Sequence, residues 1–235
     1  GFISLNQSLN NDEVLAVAYQ YTLDGQTYQV GQFAQDGAFP TDDPTTPDQP
    51  QTGPQGTEAL ILRLLKATIT NPRIPLWDLM MKNIYSLGAF QVNRDNFRLD
   101  LLYNNPTTGV DVNYIPRAPL DQIPLIQALG MDRLDPNNAP NPDGWFDFID
   151  GAASTGGTIQ SQSGRIYFTT LEPFGSFLDS QLVGVDPNIK RTIVYQQLYD
   201  STKTAAQNIP ELNRFRMVGS YRSASSDVIS LNSVN

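Results

Sequence analysis

Residues 14–33, VLAVAYQYTLDGQTYQVGQF, alternate with a period of two. Leu15, Val17, Tyr19 and Tyr21 fall on one face, and Ala16, Ala18, Gln20 and Thr22 on the other, which is the periodicity of a strand. Asp24-Gly25 favours positive φ, so the pattern predicts a β-hairpin with its turn at that dipeptide. Residues 36–56 carry five prolines, four aspartates and no basic residue, and offer nothing to bury. They predict a long solvated loop that leaves and re-enters one fold.

TEALILRLLKATIT (57–70) spaces Leu60, Ile61, Leu64, Leu65 and Ile69 as a helix does. PLWDLMMKNIYSLG (75–88) does the same with Trp77, Met80, Met81, Ile84 and Leu87, with Pro75 at its start and Gly88 past its end. Two helices packed on a sheet are therefore expected. FRLDLLY (97–103) returns to alternation, NNPTTG turns the chain, and VDVNYIP reads as a short return strand. PLDQIPLIQALGMDRL predicts a broken helix ending near residue 134. RIYFTTLEPFG (165–175) predicts a strand. In 187–207, Ile193, Leu198 and Ala205 lie on a helical surface. RFRMVGSYRSASSDVISL places Phe215, Met217 and Tyr221 opposite Arg214, Arg216, Ser220 and Arg222, a strand with one wet face. Most strand-to-strand connections lack a clean crossover helix. The expected class is α+β, mainly antiparallel β-sheet or β-sandwich with several packed helices and long loops. The whole of 1–235 is expected to form one domain. Both ends read as strand sequence, GFISLN and DVISLNSVN, so the chain is expected to be a piece of a longer protein.

Composition removes many chemistries. The 235 residues include no cysteine and no histidine, and 15 Lys and Arg face 24 Asp and Glu for a net charge of −9. Thiol catalysis, disulfides, cysteine zinc sites, imidazole-based triads and histidine-ligated metals are excluded. The acidic balance argues against nucleic acid as a partner. No GxSxG, Walker A, GxGxxG or HExxH motif occurs, and the glycine-dense GAASTGGTIQSQSG reads as a plain loop. No catalytic residue is assigned, and the chain is not expected to be an enzyme. A carboxylate-pair hydrolase needs no histidine. Its candidates are Asp95 with Asp100, Asp147 with Asp150, and Glu172, but spacing places none of them in a common cleft.

The segment 132–147, DRLDPNNAPNPDGWFD, is dense in oxygen-bearing side chains. Asp135, Asn141, Asp143 and Asp147 are the candidate ligands for a calcium ion, the one cofactor the sequence raises. The EF-hand pattern is not met, because Pro140 falls where glycine is required if Asp135 opens the loop. The preferred alternative is a loop of Asx-turns, in which Asp and Asn bond their own backbone. Tyr114, Trp145 and Phe146 are the candidate partner contacts.

Six strings align in order with one family: SLNQSLNNDEVLAVAYQYTLDGQTYQVGQF, LILRLLKATITNPRIPLWDLMMKNIYSLGAFQVNRDNFRLDLLY, GMDRLDPNNAPNPDGWFDFIDG, GRIYFTTLEPFGSFL, YQQLYDSTKTAAQ and NRFRMVGSYRS. The chain resembles the SprA (Sov) family of Bacteroidetes over nearly its whole length, with 36–56 the least similar part. The resemblance implies an N-terminal-type domain of the outer-membrane translocon of the type 9 secretion system, which also serves gliding motility and cell-surface display. Its implied partners are a PorV-type shuttle, a plug protein and exported cargo with C-terminal sorting domains. It brings no catalytic or cofactor residue. The two apolar helices and the acidic loop favour a soluble envelope module over barrel wall, on either the periplasmic or the extracellular side. The rival expectation is a cell-surface carbohydrate-binding module, calcium-assisted and using aromatic stacking.

Overall fold

Phe97, Leu99, Leu101 and Tyr103 are all buried, while the residues between them are exposed or half-buried, so the alternation of FRLDLLY becomes the central strand of a sheet. The computed structural model describes residues 5, 9–10, 12–33, 60–151 and 156–222, together with the backbone of 228–233. The expected loop 36–56 lies outside the described residues. The chain groups into two compact units, Leu5–Leu79 and the part from Met80 onward. The fold is α+β: short antiparallel sheets, a few short helices and long loops.

In the first unit, β1 (Leu15–Val17), β2 (Tyr19–Leu23), β3 (Gln26–Val30) and β4 (Arg63–Lys66) form two antiparallel pairs, β1 with β4 and β2 with β3. The predicted hairpin is β2–β3. Asp24 and Gly25 take φ of 51° and 77°, the positive pair that a two-residue turn requires. Its faces segregate. Tyr21 stacks on Tyr28 with ring centroids 5.2 Å apart, and on the other face Gln20 donates to Gln29 at 3.0 Å.

The expected helix over 57–70 is a correction: its described part, 60–70, holds no helix, and Arg63–Lys66 is strand β4, paired Ala16 with Leu64 and Val17 with Arg63. LILRLL is nearly continuous in apolar residues, and such a short run fits either period until a partner decides it. The Gln32 N–H donates to the Ile61 carbonyl at 2.8 Å, and Lys66 Nζ donates to the Asn10 carbonyl at 3.0 Å. Pairing wins over local propensity.

The expected helix over 75–88 is also corrected. Only Pro75–Leu79 is helical, as a 3₁₀ turn around buried Trp77, and Ile84–Ser86 is strand β5 in the second unit. Asn83 shows why. Its carbonyl accepts from the Phe168 N–H at 3.0 Å and its side-chain amide donates to the Phe168 carbonyl at 2.7 Å, which draws the segment into a ladder.

The second unit holds two sheets. One runs β11 (Val228–Ser233), β10 (Phe215–Arg222), β6 (Arg98–Asn104), β7 (Asp111–Val112), and the other runs β5, β9 (Arg165–Tyr167), β8 (Ile159–Gln160), all antiparallel. The wet face of β10 is as predicted, with Met217 and Tyr221 buried and Arg216 and Arg222 exposed. Among the described residues the five α-helices are single turns or little more: α1 (Leu125–Ala128), α2 (Ser176–Gln181), α3 (Pro187–Lys190), α4 (Gln197–Asp200) and α5 (Lys203–Gln207). The broken helix expected to run to 134 is only α1, because Pro124 starts it and Gly130, at φ 72°, ends it. The helical surface expected over 187–207 is divided among α3, α4 and α5. There Ile193 is buried, Leu198 half-buried and Ala205 exposed, with its neighbour Ala206 buried instead.

Candidate functional site

Two neighbourhoods in the second unit gather polar and aromatic side chains. The first is a buried knot. Tyr85 of β5 packs edge-on against Phe168 and Phe174, with centroids 5.3 and 5.8 Å away. Its hydroxyl lies 3.2 Å from that of Tyr199 on α4, which also accepts from the Phe174 N–H at 3.0 Å. Burial pushes the Tyr85 phenol up to about 12. It pushes Tyr199 up further, with the neighbouring Tyr85 and Glu172 adding to the effect. Gly175 is the only residue that fits beside Tyr199, since a Cβ there would lie 2.6 Å from Gln196 Oε1 and 2.7 Å from the Tyr199 ring.

Glu172 closes the knot by accepting from the Ser176 hydroxyl at 2.6 Å and the Gln196 amide at 3.1 Å. Burial drives its carboxyl up, but these bonds, the Ser176 N–H and the charge of Lys82 outweigh it, and its pKa is lowered. Glu172 therefore serves packing and helix entry. Its partners are neutral hydrogen-bond donors, not a second carboxylate.

The second neighbourhood is the loop between α1 and β8. Asp132, 1% exposed, accepts from the N–H of Asp143 at 3.0 Å and of Gly144 at 2.9 Å. Asp147 reaches the other way and accepts from the N–H of Arg133 at 2.8 Å and of Leu134 at 3.3 Å. Asp135 Oδ1 accepts from the N–H of Asn137 and of Ala139, and Asp143 Oδ1 from that of Trp145. These are Asx-turns.

Of the four candidate calcium ligands, Asp147 points inward onto backbone amides. Asp135 and Asp143 line a cleft, and Asn141 sits exposed with its N–H on the Ala139 carbonyl at 2.7 Å. Among the described residues no group of three or more Asp, Glu, His or Cys lies close enough to hold a metal ion. The carboxylates instead satisfy N–H groups of a loop with little secondary structure of its own. The Asp147–Asp150 pair is divided in the same way, since Asp150 accepts from the N–H and hydroxyl of Ser161 at 2.9 and 2.5 Å.

The cleft, of about 340 Å³, is walled by Phe97, Leu134, Asp135, Asn138, Trp145 and Phe146 among others. Trp145 is 53% exposed, with the Arg98 guanidinium 4.2 Å over its ring. Phe146 is half-buried, its ring 5.5 Å from Phe97, so it offers less to a partner than Trp145 does. Tyr114 is half-buried and is not part of this cleft.

Sequence reasoning passed over Asp132. Its signal is readable in retrospect: Asp132 follows Met131, and Asp147 stands between Phe146 and Phe148, apolar flanks that mark a carboxylate turned inward. Compared with protein-family models and with curated proteins, the chain matches none.

Proposed function

We propose that the chain is a non-catalytic structural and interaction module of a type 9 secretion translocon, resident in the cell envelope as part of an outer-membrane protein and supporting export and gliding motility. The observation that carries this reading is the buried knot. Tyr85 comes from WDLMMKNIYSLGA, Glu172, Phe174 and Gly175 from TTLEPFGSFL, and Gln196 and Tyr199 from YQQLYDSTKT, three of the strings on which the resemblance to the SprA family rests. They lie up to 114 residues apart in the chain and touch in the fold. The perturbed phenols and the Glu172 carboxyl are accounted for by packing, so their unusual pKa values call for no reaction.

The proposed partners are the PorV-type shuttle, the plug protein and cargo bearing C-terminal sorting domains. The immobilised chain, exposed to envelope extract of a gliding bacterium and read by mass spectrometry, should retain at least one of the three, competed off by untagged chain. A folded bait that retains none of them overturns the interaction role. In the full-length protein, Trp145→Ser should lower secretion or gliding at normal protein level. Unchanged secretion and gliding would remove the Trp145 face from the contact.

A further inference from the structure

We propose that the groove beside Trp145 binds an oligosaccharide, a property independent of the translocon reading. The cleft under Trp145 continues into a shallower hollow of about 540 Å³, because Arg94 and Phe148 line both. The two hollows are adjacent, and each has the volume usual for a small-ligand site.

Its chemistry has two components. The first is a flat aromatic platform. The Trp145 backbone N–H donates to Asp143 and the Arg98 guanidinium lies 4.2 Å over its ring, yet more than half of its surface stays open. An indole so exposed on a rigid loop normally covers something apolar. The second is a set of polar side chains with unused hydrogen-bonding capacity. The Arg94 guanidinium and the side-chain amides of Asn138, Gln91 and Gln162 all line the groove and engage no side-chain partner among the described residues.

A sugar ring asks for this combination. One face of the pyranose is a patch of C–H groups that stacks on an indole. Its edge is a row of hydroxyls, each both donor and acceptor, which planar amides, a guanidinium and the remaining carboxylate oxygens of Asp135 and Asp143 satisfy from either side. An extended peptide would seek an open strand edge, and Gln91, Asn93, Arg94 and Gln162 belong to no strand. A polyanion would meet Asp135, Asp143 and Asp150 along the same groove.

The test is an array of neutral and acidic oligosaccharides probed with the whole chain, followed by titration of the retained sugar against intrinsic fluorescence. Trp77 is buried and belongs to the other unit, so Trp145 carries the signal. Saturable binding with a fluorescence change is expected. Trp145→Ala should abolish the change and weaken binding on the order of tenfold. Arg94→Ala, at an exposed position, and Asn138→Gly, which keeps the left-handed backbone at φ 59°, should each weaken binding about threefold or more. The proposal is overturned if the array retains no sugar, or if all three variants bind within about twofold of the native chain.

Discussion

Asp132 and Asp147 hold each other's backbone: Asp132 receives the N–H groups of residues 143 and 144, and Asp147 receives those of 133 and 134. Fifteen residues apart, the two carboxylates act as a reciprocal clasp. The Asp147 N–H adds a bond to the Met131 carbonyl at 2.9 Å. The loop that presents Trp145 thus has its ends fixed although it contains almost no regular structure. Asp132→Ala takes the acceptor from the N–H groups of Asp143 and Gly144 and empties a side-chain position that is itself 1% exposed. The expected cost is about 2–4 kcal/mol, or a melting temperature lower by roughly 5–15 °C. Asp132→Asn keeps one acceptor and should lose about half as much. Thermal denaturation of both variants checks this; a loss from Asp132→Ala no larger than that from a surface Asp→Ala would refute the clasp.

Among the described residues three carboxyls are shifted, Asp100 and Asp147 upward and Glu172 downward, and the two directions give opposite pH dependences. Burial raises the Asp147 pKa, and the nearby charge of Asp132 raises it further against the N–H bonds from Arg133 and Leu134 and the charge of Arg133. The folded state then binds the proton more tightly than the unfolded one. Stability falls as pH rises from the unfolded value of 3.8 through the folded value. Glu172 is lowered, so its contribution is present above the unfolded value of 4.5 and is lost as pH falls through the folded value. Urea titrations between about pH 3 and 6 should show Asp147→Asn reducing the negative contribution to the slope, with Asp100 supplying the rest, and Glu172→Gln reducing the positive one. Slopes unaltered by either variant would contradict these assignments.

Gly219 sits in the middle of β10 where an added Cβ would lie 2.1 Å from the Arg98 carbonyl oxygen and 3.2 Å from Leu99 Cα. Both atoms belong to the backbone of the paired strand β6, so nothing can rotate away. Gly219→Ala should therefore cost about 3 kcal/mol or more by prying β10 from β6. The neighbouring Ser220→Ala should stay within about 1 kcal/mol. Equal stability of the two variants would show that the strands do not approach as described.

Elements with an unambiguous period were legible in the sequence. The hairpin at Asp24-Gly25, the strand through Leu99, Leu101 and Tyr103, and the Met217–Tyr221 face of β10 all follow from alternation and turn chemistry alone. Leu60–Leu65 and Trp77–Leu87 misled because their apolar runs satisfy a helical period, and only a distant partner, Ala16 in one case and Phe168 in the other, decides for strand. At the candidate site, Trp145 was readable as an aromatic in a polar loop. That Asp147 turns inward and that Asp132 answers it depends on backbone N–H groups brought near by the fold, and residue spacing carries no information about those.

The knot makes the sharpest prediction, because one atom serves two partners. The Tyr199 hydroxyl accepts from the Phe174 N–H and pairs with the Tyr85 hydroxyl, in a side chain 0% exposed. Tyr199→Phe keeps the ring against Phe174 and Gly175 but strands a buried N–H and a buried hydroxyl. The expected loss is about 2–4 kcal/mol, against about 1 kcal/mol for Tyr85→Phe, which leaves the Phe174 bond intact. Alkaline behaviour provides an independent reading. Tyr85 is raised from 10.0 to about 12, so the folded state holds its proton where the unfolded state has released it. Its stabilisation is complete below pH 10 and is lost as pH rises toward 12. Absorbance titration of tyrosinate should show phenols held above the usual range in the folded chain, a group smaller by two in the Tyr85→Phe, Tyr199→Phe double variant, where Tyr103 and Tyr195 remain in it. Normal titration of every tyrosine near pH 10 in the folded native chain would mean that the knot is open to water.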